Sequence, residues 1–279
     1  MRLGTRRSGS NTGRLRAAIL ELWEQHKSVG ALPTSSRFLY YELVAQGPEG
    51  ALQKMPQRKD KRQDQHVTVA LTKLREHGEI PWEDIVDESR SLSNYGGTLL
   101  GVNSWIVRAL NQYRIDPWSG NVPMIITESL SLAGALRPIA VEYRTRIVGI
   151  KGQCGGFLHT DLAPALRPGQ PVLYLGDLNF SGGHIEGNTR TVLESKVGWL
   201  DWERVALTKK QVEEYKLPVT SKYDARDKKE HDSVETEALR QEIIVNIVRD
   251  RLDALLPEPL INVLERESSI RKQAQQAHS

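Results

Sequence analysis

VPMIITESLSLAGALRPIAVEYRTRIVGI (122–150) is the stretch whose reading decides the fold. It opens on a continuous apolar, β-branched run (122–127). A helical stretch from Leu130 to Glu142 follows, blemished by Pro138, and then a second apolar run, RIVGI (146–150). A strand covered on both faces reads as an unbroken apolar run rather than as an alternation of polar and apolar residues. The arrangement recurs downstream. Phe157 to Leu166 reads as a short helix, PVLYLG (171–176) as a third strand, and HIEGNTRTVLESKV (184–197) as a helix. Strand and helix in alternation predict βαβ units, hence an α/β class with a mainly parallel sheet flanked by helices.

Upstream the period changes. Leu15, Ala18, Ile19, Leu22 and Trp23 fall at the spacing of an amphipathic helix that Gly30 and Pro33 end. Thr34, Ser35 or Ser36 can cap a second helix running to Ala45, and Val67, Ala70, Leu71 and Leu74 predict a third, stopped near Gly78. Three short helices with a basic connection resemble a helix-turn-helix or winged-helix module. The predicted organisation is a flexible basic arm (1–12), a winged-helix-like module (13–90), a connecting helix (91–120), an α/β domain (121–256) and a C-terminal tail (257–279) whose end, SSIRKQAQQAHS (268–279), is expected to fray. Residues 207–233 read as polar and irregular, and Glu237 to Leu256 as a periodic helix.

The 279 residues are 39% hydrophobic and 26% charged, which excludes wholesale disorder, collagen and coiled coil. No apolar run approaches the ~18 residues of a membrane span, and no apolar segment follows the basic N-terminus, so a cytoplasmic protein without membrane contact is expected. Cys154 is the only cysteine, which excludes an internal disulfide and a cysteine-based zinc site. The net charge of +3 is unevenly spread: residues 1–78 hold 14 Lys and Arg against 7 Asp and Glu. The surplus sits in an acid-free arm that includes Arg14 and Arg16, and in a cluster of Lys54, Arg58, Lys59, Lys61 and Arg62. Such a footprint suits double-stranded DNA, because each phosphate contact releases condensed counterions; a solvated loop and tail would read the same way.

Two acids end strands. Glu128 follows VPMIIT directly and Asp177 follows PVLYLG directly. In an open parallel sheet the strand C-termini form the ligand edge, so two such acids can converge on one cation. Asn179 adds a carbonyl oxygen, and such oxygens are ligands of Mg²⁺, or of Mn²⁺. Gly182 and Gly183 would let backbone pass close to a metal or phosphate. The same two acids would equally serve as helix-dipole and turn-capping residues.

ITESLSLAGAL (126–136), the glycine of GIKGQ (149–153) and LGDLNFSGGHI (175–185) together resemble a Toprim domain. Within Toprim proteins these motifs resemble the A subunit of type IIB topoisomerases (topoisomerase VI) and its short bacterial and phage relatives. That family carries a Glu after the first strand and Asp-x-Asp after a later one; here the second Asp is Asn179. The segments 207–227 and VETEAL (234–239) also resemble the C-terminal part of these relatives. In TSSRFLYYEL (34–43), Arg37, Tyr40 and Tyr41 fit the family's Arg-x-x-Tyr/Phe-Tyr pattern, with Tyr41 at the nucleophile position.

The resemblance implies a Mg²⁺-dependent DNA-cleaving transesterase that works as a homodimer and makes a 5′-phosphotyrosyl link. Its catalytic residues would be Tyr41, Arg37, Glu128 and Asp177, with the metal on Glu128, Asp177 and Asn179. No Gly-x-x-x-x-Gly-Lys-Ser/Thr motif is present, so strand passage would need a separate ATPase subunit. Two alternatives stand beside it. One is a Toprim nuclease that hydrolyses DNA with Tyr41 as a packing residue, and the other a non-catalytic DNA-binding protein that keeps the fold. Loss of the second Asp weakens any two-metal arrangement.

Overall fold

The periodic stripes at the start of the chain fold into three helices: α1 (Asn11–Ser28), α2 (Ser36–Ala45) and α3 (Asp64–Glu76). Ser10 caps α1 and Ser35 caps α2, each accepting a backbone N–H of the first turn. Leu15, Ile19 and Leu22 of α1, Leu39 and Leu43 of α2, and Val67, Leu71 and Leu74 of α3 close on Leu52 and Ile80 to form a core of their own. The computed structural model describes residues 10–56, 63–86, 108–110, 112–151, 155–224 and 228–277. Among the described residues between α3 and Val122, no hairpin is formed. Instead Thr34 and Ile85 form a lone parallel bridge, in which the Thr34 N–H donates to the Asp84 carbonyl at 2.9 Å. Most of the predicted connecting helix (91–120) and the predicted arm (1–12) lie outside the described residues.

The α/β part follows the alternation read from the sequence. β1 (Met124–Thr127), β2 (Arg146–Gly149), β3 (Pro171–Leu175) and β4 (Asp201–Ala206) make a parallel sheet in the order β2-β1-β3-β4. Side chains alternate across it. Ile125, Leu173 and Leu175 pack with α4 (Leu130–Glu142) and α7 (Gln241–Leu255) on one face. Met124, Ile126, Val172 and Tyr174 pack with the helical turns at 155–165 and with α5 (Phe180–Val197) on the other. The order reverses between β1 and β3, where Thr127 lies opposite Leu175, so the residues after these two strands emerge side by side.

One strand was not anticipated, and three expectations need correction. Residues 201–206 form a strand although the sequence there shows no apolar run; an edge strand with half-buried charged residues carries a weak pattern. The 207–233 segment is ordered as α6 (Lys209–Glu214), opened by a capping box at Thr208, and an antiparallel hairpin of β5 (Thr220–Asp224) and β6 (Lys229–Ser233). The helix expected from Glu237 is a 3₁₀ turn (Thr236–Ala238), a break at Arg240, and α7 from Gln241. The tail is not frayed at 260–277: α8 (Leu260–Ala277) is anchored by Glu267, which is buried and accepts the Ile115 N–H at 2.9 Å and the Arg144 guanidinium at 2.6 Å.

Two residues tie the helical module to the sheet. Phe38 of α2 is fully buried in the core formed by α4, α7 and the sheet, not in the core of its own module. Gln241, at the start of α7, donates its amide to the carbonyls of Ala31 and Pro33 at 2.7 and 2.9 Å. Phe38→Ala is expected to cost about 3–5 kcal/mol in urea unfolding, with the module's helices melting before the sheet. A single unchanged transition would contradict this docking.

Candidate functional site

The tips of β1 and β3 carry the site. The Glu128 N–H donates to the Leu175 carbonyl at 2.9 Å, extending the strand pairing by one residue. The Glu128 carboxylate then reaches across and accepts the Asp177 N–H at 3.1 Å. Burial, and next the Asp177 charge, raise the Glu128 carboxyl to about 7; the Asp177 N–H and Arg204 oppose that rise. Arg204 of β4 fixes the loop from behind, donating to the carbonyls of Gly176 and Asp177 at 2.8 and 2.7 Å while pairing with Glu186.

The opposite side of Asp177 is held by residues that sequence reasoning did not single out. Leu178 and Val234 exchange backbone hydrogen bonds of 2.9 and 3.0 Å, which brings the end of β6 to the strand tips. The following 3₁₀ turn puts the Thr236 N–H at 2.9 Å and the Thr236 hydroxyl at 3.2 Å from Asp177 Oδ1. Glu235 and Glu237 flank that threonine. The only sequence signal for them was the acid alternation in VETEAL (234–239).

Glu237 is 1% exposed. Its Oε1 accepts from the Ser131 hydroxyl at 3.1 Å and faces Arg37 Nε at 3.4 Å, while its Oε2 has no hydrogen-bond partner. Burial and then the Asp177 charge push its carboxyl up, against the pull of Arg37. Glu235 pairs with Arg37, accepts Lys222 Nζ at 3.0 Å and takes the Tyr41 hydroxyl hydrogen bond. Burial opposes its ionisation, but those three partners outweigh burial and hold it at about 2. Burial, the bond to Glu235 and the Glu235 charge all raise the Tyr41 phenol, with Arg37 opposing.

Arg37, Tyr41, Glu128 and Asp177 are therefore brought into one neighbourhood. Arg37 and Tyr41 lie one turn apart on α2, on the side that carries Phe38, and Tyr40 packs instead toward the helical core. Asn179 is placed differently from a free ligand. It caps α5, its Oδ1 accepting the Gly182 N–H at 2.6 Å, and its amide donates to Ser233 Oγ at 3.4 Å. Of the basic cluster, Arg14 is exposed on α1, Arg16 is half-buried beside it, and Lys54 is exposed and pairs with Glu49 at 3.1 Å. The Asn11 amide donates to the Lys54 carbonyl at 2.6 Å, so the start of α1 and the Lys54 loop adjoin. Arg58, Lys59, Lys61 and Arg62 lie outside the described residues.

Carboxylates are ligands of hard divalent cations, and two stand at the adjacent strand tips: Glu128, with one oxygen on the Asp177 N–H, and Asp177, with one oxygen on Thr236. Among the described residues, no three His, Cys, Asp or Glu side chains stand close enough as they are to hold an ion. Arg37 pairs with Glu235 and faces Glu237, while Lys222 pairs with Glu235 and Arg204 acts on Glu128. The chain matches no family model, no curated protein and no solved structure.

Two outcomes follow from this packing. A Cβ at Gly182 would stand 2.4 Å from the Asp177 carbonyl oxygen, whereas one at Gly183 meets nothing within 4 Å. Gly182→Ala is expected to cost about 1–3 kcal/mol in denaturant unfolding and Gly183→Ala to be neutral or stabilising by up to ~1 kcal/mol. Equal effects would contradict the close approach. Glu128, raised from 4.5 to about 7, contributes stability that is fully present below pH 4.5 and lost as pH rises through 7. The melting temperature of Glu128→Gln relative to wild type is therefore expected to climb between pH 5 and 8. A flat difference would contradict the raised carboxyl.

Proposed function

We propose that the chain binds double-stranded DNA and cuts it in a divalent-cation-dependent reaction with Tyr41 as nucleophile. In this reading a winged-helix-like module precedes a Toprim domain, as in the topoisomerase VI A subunit that the motifs resemble. The observation that carries the reading is the convergence of α2 on the strand-tip acids: Tyr41 and Arg37 both engage Glu235, two residues from Glu237 and adjacent to the threonine that grips Asp177.

Glu128 and Asp177 would hold Mg²⁺ or Mn²⁺, which when bound supplies a Lewis acid that neutralises the non-bridging oxygens of the scissile phosphate. Arg37 holds the phosphate by charge-assisted hydrogen bonds. Glu235 orients the Tyr41 hydroxyl, which stays protonated at neutral pH until attack. As the phenolic oxygen bonds to phosphorus its proton passes to solvent water, the bond from phosphorus to the 3′-oxygen breaks, and that oxygen takes up a proton from water. The products are a 5′-phosphotyrosyl link and a 3′-hydroxyl. Each copy cuts one strand, so a double-strand break uses two copies, and strand passage uses a separate ATPase subunit.

A second reading, hydrolysis by water, is favoured by the raised phenol of Tyr41, which resists becoming a phenolate.

Incubation with plasmid DNA in Mg²⁺ or Mn²⁺, quenched with detergent, is expected to trap protein on 5′ ends. Tyr41→Phe abolishes the adduct and Asp177→Asn lowers cutting at least ~100-fold. Cutting that survives Tyr41→Phe but not Asp177→Asn supports hydrolysis, and binding without any cutting contradicts both readings. DNA affinity should fall steeply with salt. Arg14→Ala and Lys54→Ala should each lower the log–log salt slope by about 0.9; slopes unchanged in both would remove these residues from the DNA contact.

A further inference from the structure

We infer that Arg37, Lys222 and the Tyr41 hydroxyl form a binding site for one phosphodiester of the DNA, and that the Glu235 carboxylate fills this site until a phosphate displaces it. The inference rests on reading the chain as one that meets DNA at Tyr41. It adds Lys222, from the β5–β6 hairpin, to the residues that hold the phosphate.

Three donors converge on one carboxylate. Arg37 Nη2 pairs with Glu235 Oε2, Lys222 Nζ stands 3.0 Å from Glu235 Oε1, and the Tyr41 hydroxyl donates to the same group. Arg37 and Tyr41 come from α2 and Lys222 from β5. These partners keep Glu235 ionised at neutral pH against the cost of burial. Each cation takes a different oxygen of an anion whose two oxygens share one negative charge. The two non-bridging oxygens of a phosphodiester offer the same donors the same charge, and both kinds of anion accept charge-assisted hydrogen bonds from Arg and Lys. An anion seated there has an oxygen in contact with the Tyr41 hydroxyl, which brings phosphorus toward the ~3–3.5 Å of near-attack geometry.

Glu235 is placed to leave. Its backbone is pinned on both sides, by the Leu178–Val234 bridge and by Thr236 on Asp177, so displacement needs only its side chain to turn. The two cations are reachable from solvent, with the side chains of Arg37 and Lys222 43% and 52% exposed. Arg37 has a second anchor in the buried Glu237, which faces its Nε at 3.4 Å. Its Nη2 can therefore pass from Glu235 to a phosphate while the guanidinium keeps its place. Phosphate binding and the Glu235 contacts then compete, and the coupling is reciprocal.

The test is anion binding by the full chain, with circular dichroism to confirm folding. Inorganic phosphate is titrated by calorimetry without DNA, and a fluorescein-labelled duplex by anisotropy at fixed salt in EDTA. Glu235→Gln keeps the side chain's shape and removes its charge, and is expected to bind both probes about tenfold tighter. Adding Lys222→Gln should remove most of that gain. Glu230→Gln makes the same charge change at an exposed position of the same hairpin. It is expected to shift either affinity less than about twofold, because salt screens exposed charges. Lys222→Gln alone should weaken the duplex severalfold and lower its log–log salt slope by about 0.9. If wild type binds the duplex while Glu235→Gln tightens neither probe more than Glu230→Gln does, this inference fails and the reading of the chain as a DNA-binding protein survives. If wild type binds no duplex while Glu235→Gln gains phosphate, the DNA reading fails and the anion site stands without it. Should Glu235→Gln not fold, an unchanged duplex affinity and salt slope in Lys222→Gln overturns the inference by itself.

Discussion

Asp177 is gripped by a threonine 59 residues further along the chain, through both the Thr236 amide and the Thr236 hydroxyl. The rest of the site depends on that pair of bonds. They fix the short turn that carries Glu235 and Glu237, and the Leu178–Val234 bridge beside them fixes its height against the strand tips. The turn supplies both acids that pair with Arg37 of α2.

Acids and cations crowd the same edge, with Arg37 and Lys222 on Glu235 and Arg204 behind Glu128. Four acids, Glu128, Asp177, Glu235 and Glu237, meet across the tips of a parallel sheet, and α2 contributes one guanidinium. Burial raises the carboxyls that lack a strong partner, Glu128 and Glu237, while Glu235, with Tyr41, Arg37 and Lys222 around it, stays ionised. Two carboxyls favouring the neutral form beside one held as an anion make a site that gains from an added positive charge. The helical module is held to that edge by apolar packing at Phe38 and hydrogen bonds at Gln241 as well as by Arg37. It can therefore give up one ion pair without leaving.

The sheet was legible because β1 and β3 are short runs buried on both faces, with no polar residue before Thr127 or Gly176 to blur them. The acids that end them were legible for the same reason. β4 was not, since Asp201, Glu203 and Arg204 interrupt its apolar residues at the sheet edge. The β5–β6 hairpin was hidden because its strands are almost wholly polar and exposed, and its order comes from pairing register rather than burial. Glu237 was read as the first residue of a helix. What set it apart is burial against Ser131 and Arg37, a tertiary relation that no local period reports. The same holds for the second role of Phe38, whose spacing fits a helix face but does not say which core it enters.

Diffraction from crystals grown with Mn²⁺, collected at the manganese edge, tests the central claim most directly. The account predicts one anomalous peak between the β1 and β3 tips, about 2.0–2.4 Å from carboxylate oxygens of both Glu128 and Asp177, with the Thr236 turn still bonded to Asp177. Full-occupancy manganese elsewhere with nothing at this edge, or a structure that separates the two acids, would contradict it.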